Sequence, residues 1–412
     1  MAIVRPFKGL RPPKEIAAKL ASFPYDVLNS EEARELAKDN PQSFLHINKP
    51  EIDLDPGINL YDQKVYDQAV ANFKMFQEKG WLVREAAECF YIYKQVMAGR
   101  AQIGLVCGCS AQEYWDGKIK RHEFTRKDKE EDRLKHVDMT NCNAGPVFLT
   151  YPARDSINTL IDEIVKTPPE VDFTSEDGIE HVLWVVKDGA WAKKITAEFA
   201  KIPALYVADG HHRTQAAARI AKVRAEKNPK HTGNEEYNFF MSVVFPHNHL
   251  MIMDYNRAVH DLNGLSESEF IKKVEEKFTV EKQDYKKPTA PNTFGMYLKG
   301  TWYKLTAKPG TYDSKDPVAS LDVSIMQNNL LSPILGIGDP RTDKRIDFVG
   351  GIRGIKELEK IVDNGKFVVS FSMFPTSIEQ LMQIADSGEV MPPKSTWFEP
   401  KLRSGMVIHT LD

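Results

Sequence analysis

The stretch YVADGHHRTQAAARIAK, residues 206–222, narrows most sharply what this chain can fold into. An apolar run ends at Asp209-Gly210, two histidines and an arginine follow, and an alanine-rich segment then places Ala217, Ile220, Ala221 and Arg224 at three- and four-residue steps. That order predicts a strand over 204–208, a sharp turn and a helix over 213–227. The first N–H groups of such a helix have no earlier carbonyl to bond, so the turn favours an anion. Gly210, His212, Arg213 and Thr214 are the expected phosphate holders, with Arg213 able to donate two parallel hydrogen bonds. Asp209 would repel a bare phosphate. It is therefore expected as a helix cap, as the partner that fixes and charges His211 or His212, or as a ligand for Mg²⁺ arriving with a phosphate chain. The competing reading is a capped turn with both histidines in solvent. A structural zinc site is disfavoured, because adjacent histidines do not readily converge on one ion and no Cys-x-x-Cys accompanies them.

Around this junction the chain alternates hairpins with helices. Residues 89–109 and 293–305 read as hairpins turning at Ala98-Gly99-Arg100 and Lys299-Gly300, and residues 181–195 read as a third, turning at Asp188-Gly189. Further strands are expected at 239–245, 249–255 and 367–374. Helices are expected near 30–39, 60–79, 151–165, 265–276, 317–331, 355–363 and 377–385. This mixture predicts an α+β (mixed α/β) fold with mixed, largely antiparallel sheets, and not a Rossmann fold. A division near residue 88 is expected, with a helical lead-in over 1–88 packed on a main body over 89–412. Cys107 and Cys109 should point to one face of their strand and serve packing.

With 55 basic and 58 acidic residues the chain carries a net charge of only -3, which gives no general field for nucleic acid or an anionic membrane. Four cysteines in 412 residues are too few for a disulfide scaffold, and no stretch approaches the roughly 18 apolar residues of a membrane span. A cytoplasmic protein with a small-molecule substrate is the expectation, and a homodimer is compatible with it.

A second constellation, KIKRHEFTRKDKEEDR at 118–133, has a charge density that no apolar pattern explains. Read as a helix over 126–135, it puts Lys129 and Arg133 four apart on one face, as two cations for a polyphosphate or a carboxylate. His122 and Glu123 precede it. In FPYDVLN (23–29), which otherwise reads as a surface lead-in, Asp26 is a candidate to accept a substrate hydroxyl's proton or to ligate Mg²⁺, and Glu123 competes for the proton-accepting role. His211 could instead orient a water in a hydrolase. Gly350-Gly351 could cradle another anion or make a tight turn. The C-terminal PPKSTWFEPKLRSG, with Lys394, Ser395, Thr396 and Lys401, reads either as a wrapping loop that closes an active site or as an ordered structural tail, and Trp397 and Phe398 as core or as a platform for a base.

The strand, turn, DGHHR and helix resemble the phosphate-binding motif of the sulfiredoxin/ParB-like superfamily. His211 stands where sulfiredoxin has its reactive cysteine, and the closer likeness is to the archaeal free-serine kinases of that superfamily. Nearly end to end, through FPYDVLN, HEFTRKDKEEDR, GPVFLTY, YVADGHHR, YNRAVHDL and MPPKSTWFEPKLRSG, the chain resembles the family named domain of unknown function 1015. The resemblance implies a ParB/sulfiredoxin-like nucleotide-binding core. It also implies an ATP- or ADP-dependent phosphotransferase acting with Mg²⁺ on a small hydroxyl metabolite, free serine or a serine-pathway compound. A nucleotide hydrolase or phosphatase, and a nucleotide-responsive regulator without turnover, stay open beside it. On the kinase reading, Arg213→Ala should weaken nucleotide binding and leave the fold intact.

Overall fold

The hairpin at 89–109 lies at the heart of the first of two large sheets. In the computed structural model, which describes residues 2–412, strands Phe90–Met97 and Arg100–Ser110 pair antiparallel from Tyr91↔Val106 to Met97↔Arg100. Ala98 and Gly99 between them both have positive φ, 51° and 78°, the two-residue turn whose twist matches that of its strands. Nine strands make up this sheet. From one edge the path runs Ile119–Lys120, Leu205–Asp209, Val147–Tyr151, Phe239–Pro246, Arg100–Ser110, Phe90–Met97, Glu180–Val186 and Val171–Thr174, with Val4–Arg5 beside Arg100–Ser110. The 119–120/205–209 and 147–151/239–246 pairs are parallel and the others antiparallel, so the fold is mixed α+β.

One face of this sheet is continuously apolar, because alternate residues point to the same side. Phe90, Ile92, Leu105, Cys107, Cys109, Leu149, Val207 and Val244 are buried there against Ile157, Ile161, Ile195, Phe199, Ala217 and Ala221 from three helices. The two thiols sit side by side, Sγ to Sγ 3.8 Å, as packing residues whose burial pushes the Cys107 thiol up. At the amino end, helix Gln63–Glu78 buries Tyr66, Ala69, Phe73 and Phe76. Phe73 and Phe76 join Leu20, Phe44, Ile47, Cys142 and Ile408 in a second cluster.

Three sequence expectations are corrected. Residues 181–195 are not a hairpin: Glu180–Val186 pairs with Phe90–Met97 and Val171–Thr174, and helix Gly189–Phe199 follows. The carboxylate of Asp188 accepts the Ala190 N–H at 2.7 Å, so Asp-Gly starts a helix here, and Ile195 and Phe199 fix it by burying the same face. The 249–255 strand is displaced to Ile252–Met253 and Tyr255–Val259. The 317–331 helix begins only at Asp322, and its second half, Gln327–Leu331, is wound as a π-helix.

The chain divides into two compact units, Met1–Leu250 with Pro400–Asp412, and Met251–Glu399. The second unit carries a six-stranded antiparallel sheet that includes the 293–305 hairpin. Gly350-Gly351 makes no anion cradle there. A Cβ on Gly351 would lie 2.4 Å from an Asp254 carboxylate oxygen and one on Gly350 3.0 Å from Trp397, so the pair exists for close packing. Trp397 is half-buried and packs on Tyr255 at 5.1 Å, and Phe398 is buried as core. Lys394 and Ser395 also belong to this unit, where their carbonyls accept from Arg257 and Thr376.

Residues 400–412 return to the first unit. Ser404 bridges Ser22, and Ile408 bridges Leu10, in each case through a reciprocal pair of backbone hydrogen bonds. Gly405 makes this return possible: its φ is +88°, and a Cβ would meet Leu20 at 2.7 Å and Phe44 at 2.9 Å. Both the backbone penalty and the overpacking penalty apply, so Gly405→Ala is expected to destabilise the protein by about 2–4 kcal/mol in urea denaturation. A loss under about 0.5 kcal/mol would mean that the C-terminal return is not anchored there.

Candidate active site

Strand Leu205–Asp209 reaches the turn through a bulge. Val207 opposes Leu149, yet Asp209 opposes Phe148, so two steps on one strand match one on its neighbour and the Asp209 carboxylate is re-aimed. Gly210 follows at φ +91°, and helix His211–Lys227 begins with Thr214 N–H bonding to the Gly210 carbonyl at 2.9 Å. No side chain caps this end. Among the described residues the N–H groups of His211, His212 and Arg213 find no acceptor. Asp209 is thus not the helix cap. Its carboxylate accepts the Gly210 N–H at 3.0 Å and pairs with Lys401 at 3.2 Å. Burial opposes ionisation, but the charges of Lys401 and Arg213 outweigh it and hold Asp209 below the usual carboxylate range.

On one side of the turn, His122 and Glu123 come to His211 from 89 and 88 residues earlier in the chain. The His122 and His211 rings meet edge to face, 4.4 Å between centroids, and Glu123 Oε2 lies 3.8 Å from His211 Nδ1. Both rings are buried, whereas the Glu123 side chain is 45% exposed. Burial lowers the His122 pKa to about 4. Burial first, and then the neighbouring His122, pushes His211 well below its ordinary value. Asp209 therefore does not charge His211; the imidazole is neutral at neutral pH. His212 faces elsewhere: its Nε2 accepts the Arg126 N–H at 3.0 Å, and burial lowers its pKa too.

On the other side lies Arg213, 11% exposed, donating to the Pro146 carbonyl and standing 3.6 Å from Asp26. Helix Lys127–Thr140 presents Arg133 there, with its guanidinium 4.0 Å over the Tyr25 ring and 2.7 Å from Asp132. Arg213, Arg133, Tyr25, His136, Asn48 and Ser404 line a cavity of about 30 Å³, room for a water or two. The lead-in that carries Asp26 is fixed by the C-terminal return: Arg403 lies 3.7 Å over Phe23 and bonds Asp177 at 2.5 Å.

Several sequence-predicted residues thus meet around one turn: His122, Glu123 and His211 on one flank, Asp26, Arg133 and Arg213 on the other, with Asp209 and Gly210 between. Three do not take their expected places, the first being His212, whose ring is turned to the Arg126 N–H. Lys129 shares a helix face with Arg133 but reaches over Tyr61, 5.8 Å away, outside the cavity. Thr214 is buried, and its hydroxyl turns back to the Gly210 carbonyl at 3.0 Å, so it is spent within the helix. Tyr25, Asn48, His136, Arg403 and Ser404 were missed. Only the spacing of cations in KLRSG, beside the already noted Lys401, hinted at the last two.

The family profile described as "Protein of unknown function (DUF1015)" matches residues 4–324. The chain belongs to the DUF1015 family. No curated protein matches it. Among solved structures, a free serine kinase in complex with AMP is similar at 12% identity and a TM-score of 0.36, over 72% of this chain and 86% of that one. SbnI with a C-terminal truncation, from Staphylococcus aureus, is similar at 11% and 0.38, over 73% and 85%. A conserved hypothetical protein from Pyrococcus furiosus is similar at 14% and 0.34, over 72% and 90%. No helix among the described residues of this DUF1015 chain is long and apolar enough to cross a membrane.

The position of Arg213 reverses the expectation that its removal leaves the fold untouched. Arg213→Ala would strip the Pro146 carbonyl of its donor and leave Asp26 and Asp209 less compensated, a loss of about 2–4 kcal/mol in urea denaturation. Unchanged stability would show that the guanidinium is not structural.

Proposed function

We propose that the 209–214 turn holds the phosphates of ATP or ADP, and that the protein transfers a phosphoryl group to a small hydroxyl metabolite, free serine or a serine-pathway compound being the named acceptor. The observation that carries this reading is the uncapped start of the 211–227 helix, three N–H groups without an acceptor, with Arg213 on one side and Lys401 next to Asp209 on the other. Phosphoryl transfer needs little covalent help. It needs donors for spread negative charge and a carboxylate placed for the attacking hydroxyl. Gly210 lets the backbone approach the phosphate, and the helix end supplies donors with a favourable dipole.

Asp26 is the base in this reading. It is 37% exposed and 3.6 Å from Arg213, so it can meet a hydroxyl while the guanidinium meets the phosphoryl group. Glu123, across the turn, is the competing base. Mg²⁺ would neutralise the phosphate chain. Such an ion keeps several waters and takes one or two carboxylates, a share that Asp209 or Asp26 can provide, although Asp209 would have to exchange its bond to Lys401. Phe124, 61% exposed beside Glu123, offers a ring on which a base can stack.

The test separates binding from turnover. Titration calorimetry with ATP and ADP in Mg²⁺ should show binding, and incubation with serine and a panel of hydroxyl metabolites should yield a phosphorylated product by mass detection. Asp26→Asn should keep nucleotide affinity within about threefold and lower turnover by about 10²–10⁴. Absence of nucleotide binding would refute the reading. Binding without product from any hydroxyl metabolite would leave a sensor in place of a kinase.

A further inference from the structure

His122, Glu123 and His211 have a property that phosphate binding does not use. The His122 ring is fully buried with only the Val207 backbone at hand to bond it, and Nε2 of His211, also fully buried, makes no hydrogen bond. Leaving a buried polar group underbonded is unfavourable, and the two imidazoles meet edge to face, so their poorly satisfied nitrogens lie in one place. The nitrogens are not scattered. One ligand atom from each of His122, Glu123 and His211 lies within 4.8 Å of the others, the sole such group of three found among the described residues.

We propose that His122, Glu123 and His211 form a binding site for a divalent first-row transition-metal ion. Two imidazoles and one carboxylate suit Zn²⁺ and its neighbours, whereas Mg²⁺ and Ca²⁺ prefer oxygen alone. With metal–ligand bonds of about 2.0–2.1 Å in a tetrahedron, ligand atoms lie roughly 3.3–3.4 Å apart. The three ligand atoms already lie within 4.8 Å of one another, so the widest separation must close by no more than about 1.5 Å. Asp209, whose charge acts on both rings, adds negative potential from outside the ligand set.

Three protein ligands with one of them half exposed leave a coordination position open toward solvent, as in catalytic rather than structural sites. Sequence reading set a zinc site aside on the ground that His211 and His212 are adjacent. The structure separates them, sending His212 to the Arg126 N–H and bringing His122 to His211 instead. This assignment does not depend on nucleotide binding.

The full-length protein, stripped with chelator and dialysed, is titrated with Zn²⁺ by calorimetry and with Co²⁺ by visible absorption. One equivalent should bind with a Kd of about 10⁻⁶ M or tighter, and Co²⁺ should develop the intense visible bands of a low-coordinate ion. Glu123→Gln, at a half-exposed position, should weaken Zn²⁺ at least tenfold, and His122→Asn should weaken it more. His231→Ala, remote from the triplet, should change nothing. Millimolar Mg²⁺ should not displace the Zn²⁺. Should His122→Asn fail to fold, Glu123→Gln decides. No binding at 100 µM ion (about one hundred times the expected Kd), or equal affinity in wild type and Glu123→Gln, would overturn the site.

Discussion

The ion pair between Lys401 and Asp209, formed across 192 residues of sequence, is the contact on which the candidate site depends. A carboxylate at the end of a buried strand, next to the start of a helix that favours anions, needs a cation if the helix end is to stay open to a ligand. Lys401 supplies it, 12% exposed, from a segment that has left the first unit, built the second and come back. The residues after it extend the effect. Arg403 and Ser404 lock the Phe23–Asp26 stretch against the first unit, which sets Asp26 beside Arg213.

Around that pair the turn has two flanks of different chemistry. The Arg213 flank is rich in charge, with Asp26, Arg133 and Asp132 compensating one another, the balance expected where phosphate or carboxylate is handled. On the His122 flank the two buried rings are uncharged at physiological pH and poorly hydrogen-bonded, the state in which imidazoles accept a metal ion. The bulge before Asp209 and the positive φ of Gly210 let one strand end serve both.

Much of this was legible in the sequence because it is local. Asp-Gly-His-His-Arg after an apolar run marks its own strand, turn and helix, and the hairpins at 89–109 and 293–305 carry their turns in plain sight. Where local signals have two meanings the reading failed: Asp188-Gly189 serves a hairpin or a helix start equally well, and only the burial of Ile195 and Phe199 decides between them. The inward turn of Thr214 and the packing of Arg213 on the Pro146 carbonyl are likewise tertiary facts. Sequence placed Lys401 in a wrapping loop, but no pattern pairs it with one aspartate among the 58 acidic residues.

A double-mutant cycle on Lys401 and Asp209 tests the central claim most directly. If the C-terminal return neutralises Asp209, Lys401→Met alone should cost about 2 kcal/mol or more in urea denaturation, by leaving a half-buried carboxylate with only Arg213 to compensate it. Asp209→Asn in the Lys401→Met background should then recover most of that loss, a coupling of at least about 1.5 kcal/mol. Penalties that simply add, within about 0.5 kcal/mol, would contradict the account and leave the two residues as independent neighbours.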